Sequence, residues 1–187
     1  MDIAQARALM EEWTQSPALR VHMECVAACM GHYAEKLDPD NKDRWIACGL
    51  LHDFDYERHP TADEHPTVGV EHLRGLGVDE EILEAIMGHA AYTGVARTTP
   101  MAKALFACDE LAGFIVAVAK VRPNGFEEMK AKSVKKKLKD KAFAAAVSRE
   151  DVRIGTEELT GLTGDEESHH IQNCVDAIAA GVPHALS

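Results

Sequence analysis

An all-α fold is what this sequence predicts, and three observations carry the prediction. Apolar residues fill 46% of the 187 positions while aromatic residues fill only 5%, a balance with volume enough for one core but little of the side-chain content that strands favour. Leu, Ala and Val recur among Glu and Lys at spacings of three and four, the period of helices with one apolar face. Alternating apolar and polar runs, the mark of half-buried strands, are essentially absent. So apolar a chain can offset its ordering entropy, which excludes a disordered protein. The length suits one domain over residues 1–187.

The elements follow from local signals. Ser16 before Pro17 reads as an N-cap and first helical residue, opening a helix that runs to about Leu37, where Asp38, Pro39 and Asp40 break it. The next helix starts near Asp40, turns apolar through Ile46, Ala47, Leu50 and Leu51, and ends at His52 and Asp53. After a loop containing Pro60, His65 and Pro66 open a short helix with Val68, Val70 and Leu73, stopped by Gly75 and Gly77. A helix from Asp79 to about Ala91 turns Ile82 and Ile86 inward. Another, from about Pro100 to Val121, is apolar enough to form the centre of the fold. Beyond Pro123, Asn124 and Gly125, a lysine-rich stretch carries Phe126, Met129, Val134, Leu138 and Phe143 at roughly helical intervals. Ser148 with Asp151 three residues on forms a variant capping box for a helix ending near Gly161, and a last helix runs from about Asp165 to Ala180. These are eight helical segments, divided into a core of about 17–121 and a helical extension of about 122–187.

Charge and cysteine usage narrow the setting. The net charge of -11 argues against nucleic-acid binding. Within it, residues 120–141 hold nine basic and three acidic side chains, a local excess that would suit a phosphorylated ligand. No apolar run is long enough for a membrane span, and the first residues lack a signal peptide's basic start and apolar core, so a cytosolic protein is expected. Five cysteines, odd in number and without a CxxC pair, read as small core residues.

Polar chemistry interrupts the apolar helices at a few places. His52 and Asp53, a nitrogen and an oxygen donor side by side, end the apolar run 48–51. His22, His89 and Asp109 likewise sit in otherwise apolar helices, where uncompensated polar groups are costly. A helical bundle brings such residues together around a cation. Imidazole and carboxylate donors suit Fe, Mn, Co, Ni or Zn, and the lack of a thiolate pair argues against a structural zinc. The other histidines read as ordinary: His32 and the pair His169–His170 on polar helix faces, and His184 in a tail. His59, in the loop near the doublet, is a candidate substrate contact.

The order His22, His52-Asp53, Asp109 resembles the H…HD…D signature of the HD-domain metal-dependent phosphohydrolases, which are all-helical. Segments 50–57 (Leu-Leu-His-Asp-Phe-Asp-Tyr-Glu), 64–69 (Glu-His-Pro-Thr-Val-Gly), 104–114 and 133–137 are similar to a bacterial group of predicted HD hydrolases. In two-metal members of that superfamily, extra histidines lie between the doublet and the last Asp. By that resemblance Asp53 bridges two divalent ions, with His22, His52 and Asp109 on one and His65 and His89 on the other. His72, two turns beyond His65, competes for its place; the pattern His-Pro-x-x-Gly favours His65. Phe54-Asp55-Tyr56 replaces the common HDxGK form, so the role of that family lysine does not transfer.

The resemblance implies one or two transition-metal ions and a metal-assisted hydrolysis of a small phosphorylated substrate, nucleotide or otherwise. Asp53 and His89 are the candidates for handling a proton, and Lys135, Lys136 and Lys137 for holding substrate phosphate. Two alternatives share the scaffold: a diiron oxygenase of the HD type, and a non-catalytic, metal-dependent nucleotide-binding module. Self-association suits helical surfaces of this kind, yet no heptad repeat marks an interface.

Overall fold

The structure, a computed structural model, describes residues 1–186. Among them are nine α-helices, two short 3-10 turns at Pro39–Asn41 and Ala91–Thr93, and no strand. The helices are α1 (Ile3–Trp13), α2 (Pro17–Leu37), α3 (Lys42–Leu51), α4 (Thr67–Gly75), α5 (Glu80–His89), α6 (Pro100–Lys120), α7 (Ala131–Leu138), α8 (Arg149–Thr163) and α9 (Glu167–Gly181). No helix is long and apolar enough to cross a membrane.

Two 21-residue helices, α2 and α6, form the spine. Each begins at a hydroxyl N-cap followed by proline: Ser16 accepts from the Leu19 N–H and Thr99 from the Ala102 N–H. Around the spine, α3 and α9 pack on α2, and α5 and α8 pack on α6. The largest side chains sealed between these layers are Trp45, Tyr33, Phe54 and Phe114. Gly49 lets α3 come close to α2, since a Cβ there would sit 2.6 Å from the Ala27 backbone.

Helix α1 is the ninth helix, absent from the eight segments read in the sequence. Its signal is a capping box of Asp2 and Gln5, with Ala6 and Met10 one turn apart on the buried face. It positions the site. Trp13 packs tilted against Phe54 with ring centroids 4.9 Å apart, the Thr14 hydroxyl donates to the Phe54 carbonyl at 3.0 Å, and Arg58 donates to the carbonyls of Glu12 and Trp13. The loop after α3 is thereby tied down along its length.

The remaining differences concern ends and burial. Helix α8 continues past Gly161 to Thr163 and is closed by Gly164 in the left-handed conformation, φ 73°. The pair His169–His170 is split between environments. His169 is exposed, but His170 is only 1% exposed, wedged among Tyr33, Cys174 and the Ala107 carbonyl.

Candidate metal centre

Five segments deliver the polar residues to one point. His22 comes from the second turn of α2, His52 and Asp53 from the end of α3, His65 from the loop before α4, His89 from the last residue of α5, and Asp109 from the middle of α6. Asp53 lies between two groups. Its Oδ2 is 3.6 Å from His52 Nε2 and 3.8 Å from His22 Nε2, while its Oδ1 is 3.3 Å from both His65 Nε2 and His89 Nε2. Asp109 closes the first group, with Oδ1 3.0 Å from His22 Nε2 and 3.4 Å from His52 Nε2. His52, His65 and His89 are almost fully buried, and the slight exposure of the cluster lies on His22, Asp53 and Asp109.

The outer ring nitrogens are committed. His52 Nδ1–H donates to the Gly49 carbonyl at 2.8 Å, His89 Nδ1–H to the Ile86 carbonyl, and His65 Nδ1–H to Asp55 Oδ1 at 2.7 Å. In each neutral ring the remaining Nε2 therefore carries only a lone pair. Those lone pairs face carboxylate oxygens: His52 Nε2 is 3.4 Å from Asp109 Oδ1, and the Nε2 atoms of His65 and His89 are 3.3 Å from Asp53 Oδ1. Acceptors turned on acceptors in a buried space call for a cation between them. The electrostatics show the same demand for positive charge, which protons on the rings meet in the absence of a metal. Burial opposes charge on Asp53 and Asp109, yet the neighbouring histidines hold both carboxyls well below the usual carboxylate range. Burial likewise lowers His52, His65 and His89, but the carboxylates outweigh it, raising all three and pushing His65 up to about 9. Four imidazoles and two carboxylates with no thiolate suit divalent Fe, Mn, Co, Ni or Zn.

Asp55 escaped the sequence reading and has a defined place. It is 1% exposed, accepts from His65 with one oxygen, and accepts from the Gly69 N–H at 2.8 Å with the other. Gly69 is required there, because a Cβ would lie 2.7 Å from the Asp55 carboxylate. No sequence signal marked it, since Asp55 sits among the polar residues of a loop. The competition between His65 and His72 is resolved by packing: His72 lies against Trp13 at 4.6 Å and Phe54, away from the acids.

The expected phosphate-binding lysines are not brought to the cluster. Helix α7 packs on α9, where Lys135 pairs with Glu167 at 2.6 Å and donates to Ser168. Lys136 borders a separate depression with Lys130, Lys132 and Lys139, and Lys137 lies over the Phe143 ring. The cause is tertiary: α7 buries Ala131 and Val134, and its lysines are left on the side facing α9 and solvent. His59 is 3.3 Å from Glu64 within its own loop. Two exposed rings stand beside His65 instead: Tyr56 packs edge-on to it at 5.1 Å, and the Tyr92 hydroxyl donates to its carbonyl.

No match to the chain is found among curated proteins or among solved structures. A family model of the HD domain does match, over residues 20–113. That span is half of the chain, and it begins two residues before His22 and ends four after Asp109, enclosing every residue of the cluster. With the doublet, its flanking ligand candidates and their helical frame all inside the matched half, the chain belongs to the HD-domain family.

Proposed function

We propose that this protein is a metal-dependent phosphohydrolase with two divalent ions, cleaving an ester or anhydride of a small phosphorylated metabolite. The single observation that carries the reading is the convergence of three tautomerically fixed Nε2 atoms on the two oxygens of Asp53. Members of the HD-domain family are mostly metal-dependent phosphohydrolases. In this reading His22, His52 and Asp109 hold one ion, His65 and His89 the other, and Asp53 both. A bound divalent ion supplies a more acidic water and neutralises charge on phosphoryl oxygens.

The chain's own residues do the rest. Asp53 fixes the spacing of the two groups by turning one oxygen to each. The buried walls around His52, His65 and His89 exclude bulk water and leave the His22–Asp109 side as the approach. His89 has only Nε2 left, and one lone pair cannot both hold an ion and take a proton. Asp53, with one oxygen turned to each group and its carboxyl held well below the usual range, is no freer than His89 when both ions are bound, so both proton candidates serve as ligands in this reading. In the reaction the water oxygen bonds to phosphorus, the bond to the leaving oxygen breaks, and a water proton ends on that oxygen. The cytosol, where five free thiols persist, is the setting this reading assumes.

The test is metal analysis of protein purified without chelator, followed by phosphate release from a panel of esters and anhydrides. Two ions per chain and turnover abolished in Asp53→Asn are expected. A fully loaded protein with one ion overturns the dinuclear assignment. Dioxygen consumption in place of phosphate release replaces hydrolysis with the oxygenase chemistry.

A further inference from the structure

A groove of about 540 Å³ lies along the seam of α2 and α6, and it shares His22 with the candidate metal centre. On α6 it follows Ala112, Gly113, Val116 and Ala117 to Lys120, and on α2 it follows Val21 and Ala18. The α6 residues stand 3, 4, 7, 8 and 11 positions after Asp109, so they share one face with that ligand candidate. Between Ala112 and Lys120 the groove extends about 12 Å at a helical rise of 1.5 Å per residue. His22 joins the two spaces: Nε2 faces Asp109, while the Nδ1 edge of the ring lies toward Gly113. No acidic side chain lines the groove. Its far end carries Lys120, which is exposed and forms no ion pair among the described residues.

We propose that this groove receives the leaving-group portion of the substrate, making the substrate a phosphate ester of a compact apolar alcohol whose far end is anionic. The inference rests on the hydrolase reading and sharpens its substrate class. Apart from Ser16, His22 and Lys120, the walls are methyls, methylenes and a bare glycine, which offer an apolar chain or single ring desolvation but offer a nucleobase few hydrogen-bond partners. The phosphoryl end lies at the His22–Asp109 side, where the cluster is open, and the distal anion pairs with Lys120. Lys120 belongs to the basic segment 120–141, and it is this first lysine, on the Asp109 face of α6, that borders the groove shared with His22.

Non-hydrolysable phosphonates test the groove on the metal-loaded protein by calorimetry: methyl-, butyl- and octylphosphonate, and 8-phosphonooctanoate. Affinity should climb with chain length, by up to about fourfold for each methylene fully buried. Lys120→Ala should weaken 8-phosphonooctanoate by about fivefold, the worth of a partly exposed ion pair, and leave octylphosphonate unchanged. Ala117→Leu, and Ala18→Leu from the exposed opposite wall, should erase the chain-length gain while methylphosphonate affinity and metal content stay constant. Flat affinity across the series, with phosphate still released from simple esters, overturns the groove and leaves the hydrolase standing. Rising affinity with no phosphate released from octyl phosphate supports the groove and overturns hydrolysis.

Discussion

Two clusters of metal-ligating side chains lie in this helical core, and they differ in what their charges require. In one, His22, His52, Asp53, His65, His89 and Asp109 turn lone pairs and carboxylates toward a common space. In the other, Cys29, Cys108 and Cys174 meet between α2, α6 and α9 with His170 and Tyr33 beside them. Both have donor atoms close enough to share an ion. The second, however, is satisfied as neutral groups. The Tyr33 hydroxyl donates to His170 Nδ1 at 2.6 Å, and His170 Nε2–H donates to the Ala107 carbonyl at 3.1 Å. Burial drives the Cys108 and Cys174 thiols well above their ordinary pKa and lowers His170 to about 4, whereas carboxylates raise His52, His65 and His89. Ligand type and distance thus leave the two clusters alike, and the demand for a cation separates them.

Acid should break the neutral cluster with the largest effect. The unfolded imidazole takes a proton below about pH 6.5, but the folded His170 does so only below about 4 because burial disfavours its charge. Between those values the unfolded state binds more protons, so stability falls as pH falls from 6.5 to 4 and this contribution then levels off. Its ceiling is about 3 kcal/mol. Tyr33 from α2, Cys108 from α6 and Cys174 from α9 surround the ring, with Asp165, Glu167 and His32 acting at longer range. Urea denaturation of wild type and His170→Gln across this range isolates the contribution, since metal release is common to both. The variant should start less stable and show a flatter slope; parallel profiles would mean that His170 is protonated alike in both states.

The site was more legible than its supports. His22, the doublet and Asp109 stood out because each interrupts an apolar period, an anomaly visible in sequence. Asp55 gave no such anomaly, lying among the polar residues of a loop, and only the fold shows it buried against His65 and Gly69. Helix α1 went unread because its apolar face is thin, two buried residues between exposed ones. The lysines illustrate a different limit. Local charge marked residues 120–141 correctly as basic, but which face a short helix presents is set by the side chains it buries, here Ala131 and Val134.

Asp55 offers the next, smaller test, because it belongs to one half of the metal cluster only. Carboxylates behind ligating histidines typically change metal affinity 10–100-fold when removed. Asp55→Asn keeps the shape and removes the charge, and it sets an amide against the Gly69 N–H or the His65 N–H. A chelator titration of the loaded variant should show one ion weakened by that factor and the other nearly unchanged, since His22, His52 and Asp109 make no contact with Asp55 among the described residues. Equal weakening of both ions would show the halves to be mechanically coupled through Asp53, and the assignment of His65 to a distinct ion would fall.

The smallest effect should come from the thiols, and its smallness is the point. Cys174 is fully buried, with its sulfur 3.8 Å from His170 Nδ1 and its carbonyl facing the Cys29 thiol at 3.9 Å. Cys174→Ala removes one sulfur from a packed core and should cost about 1–2 kcal/mol, within the ordinary range for a buried truncation. In a domain of this size that lowers Tm by only a few degrees. Metal content per chain should not change, because a neutral thiol cluster with raised pKa values resists the deprotonation that a thiolate ligand needs. If Cys174→Ala protein instead lost one equivalent of a thiophilic metal that wild type carried, with the Tm falling far more steeply, the cysteines would be a true ligand set. The distinction drawn from charge demand would then fail.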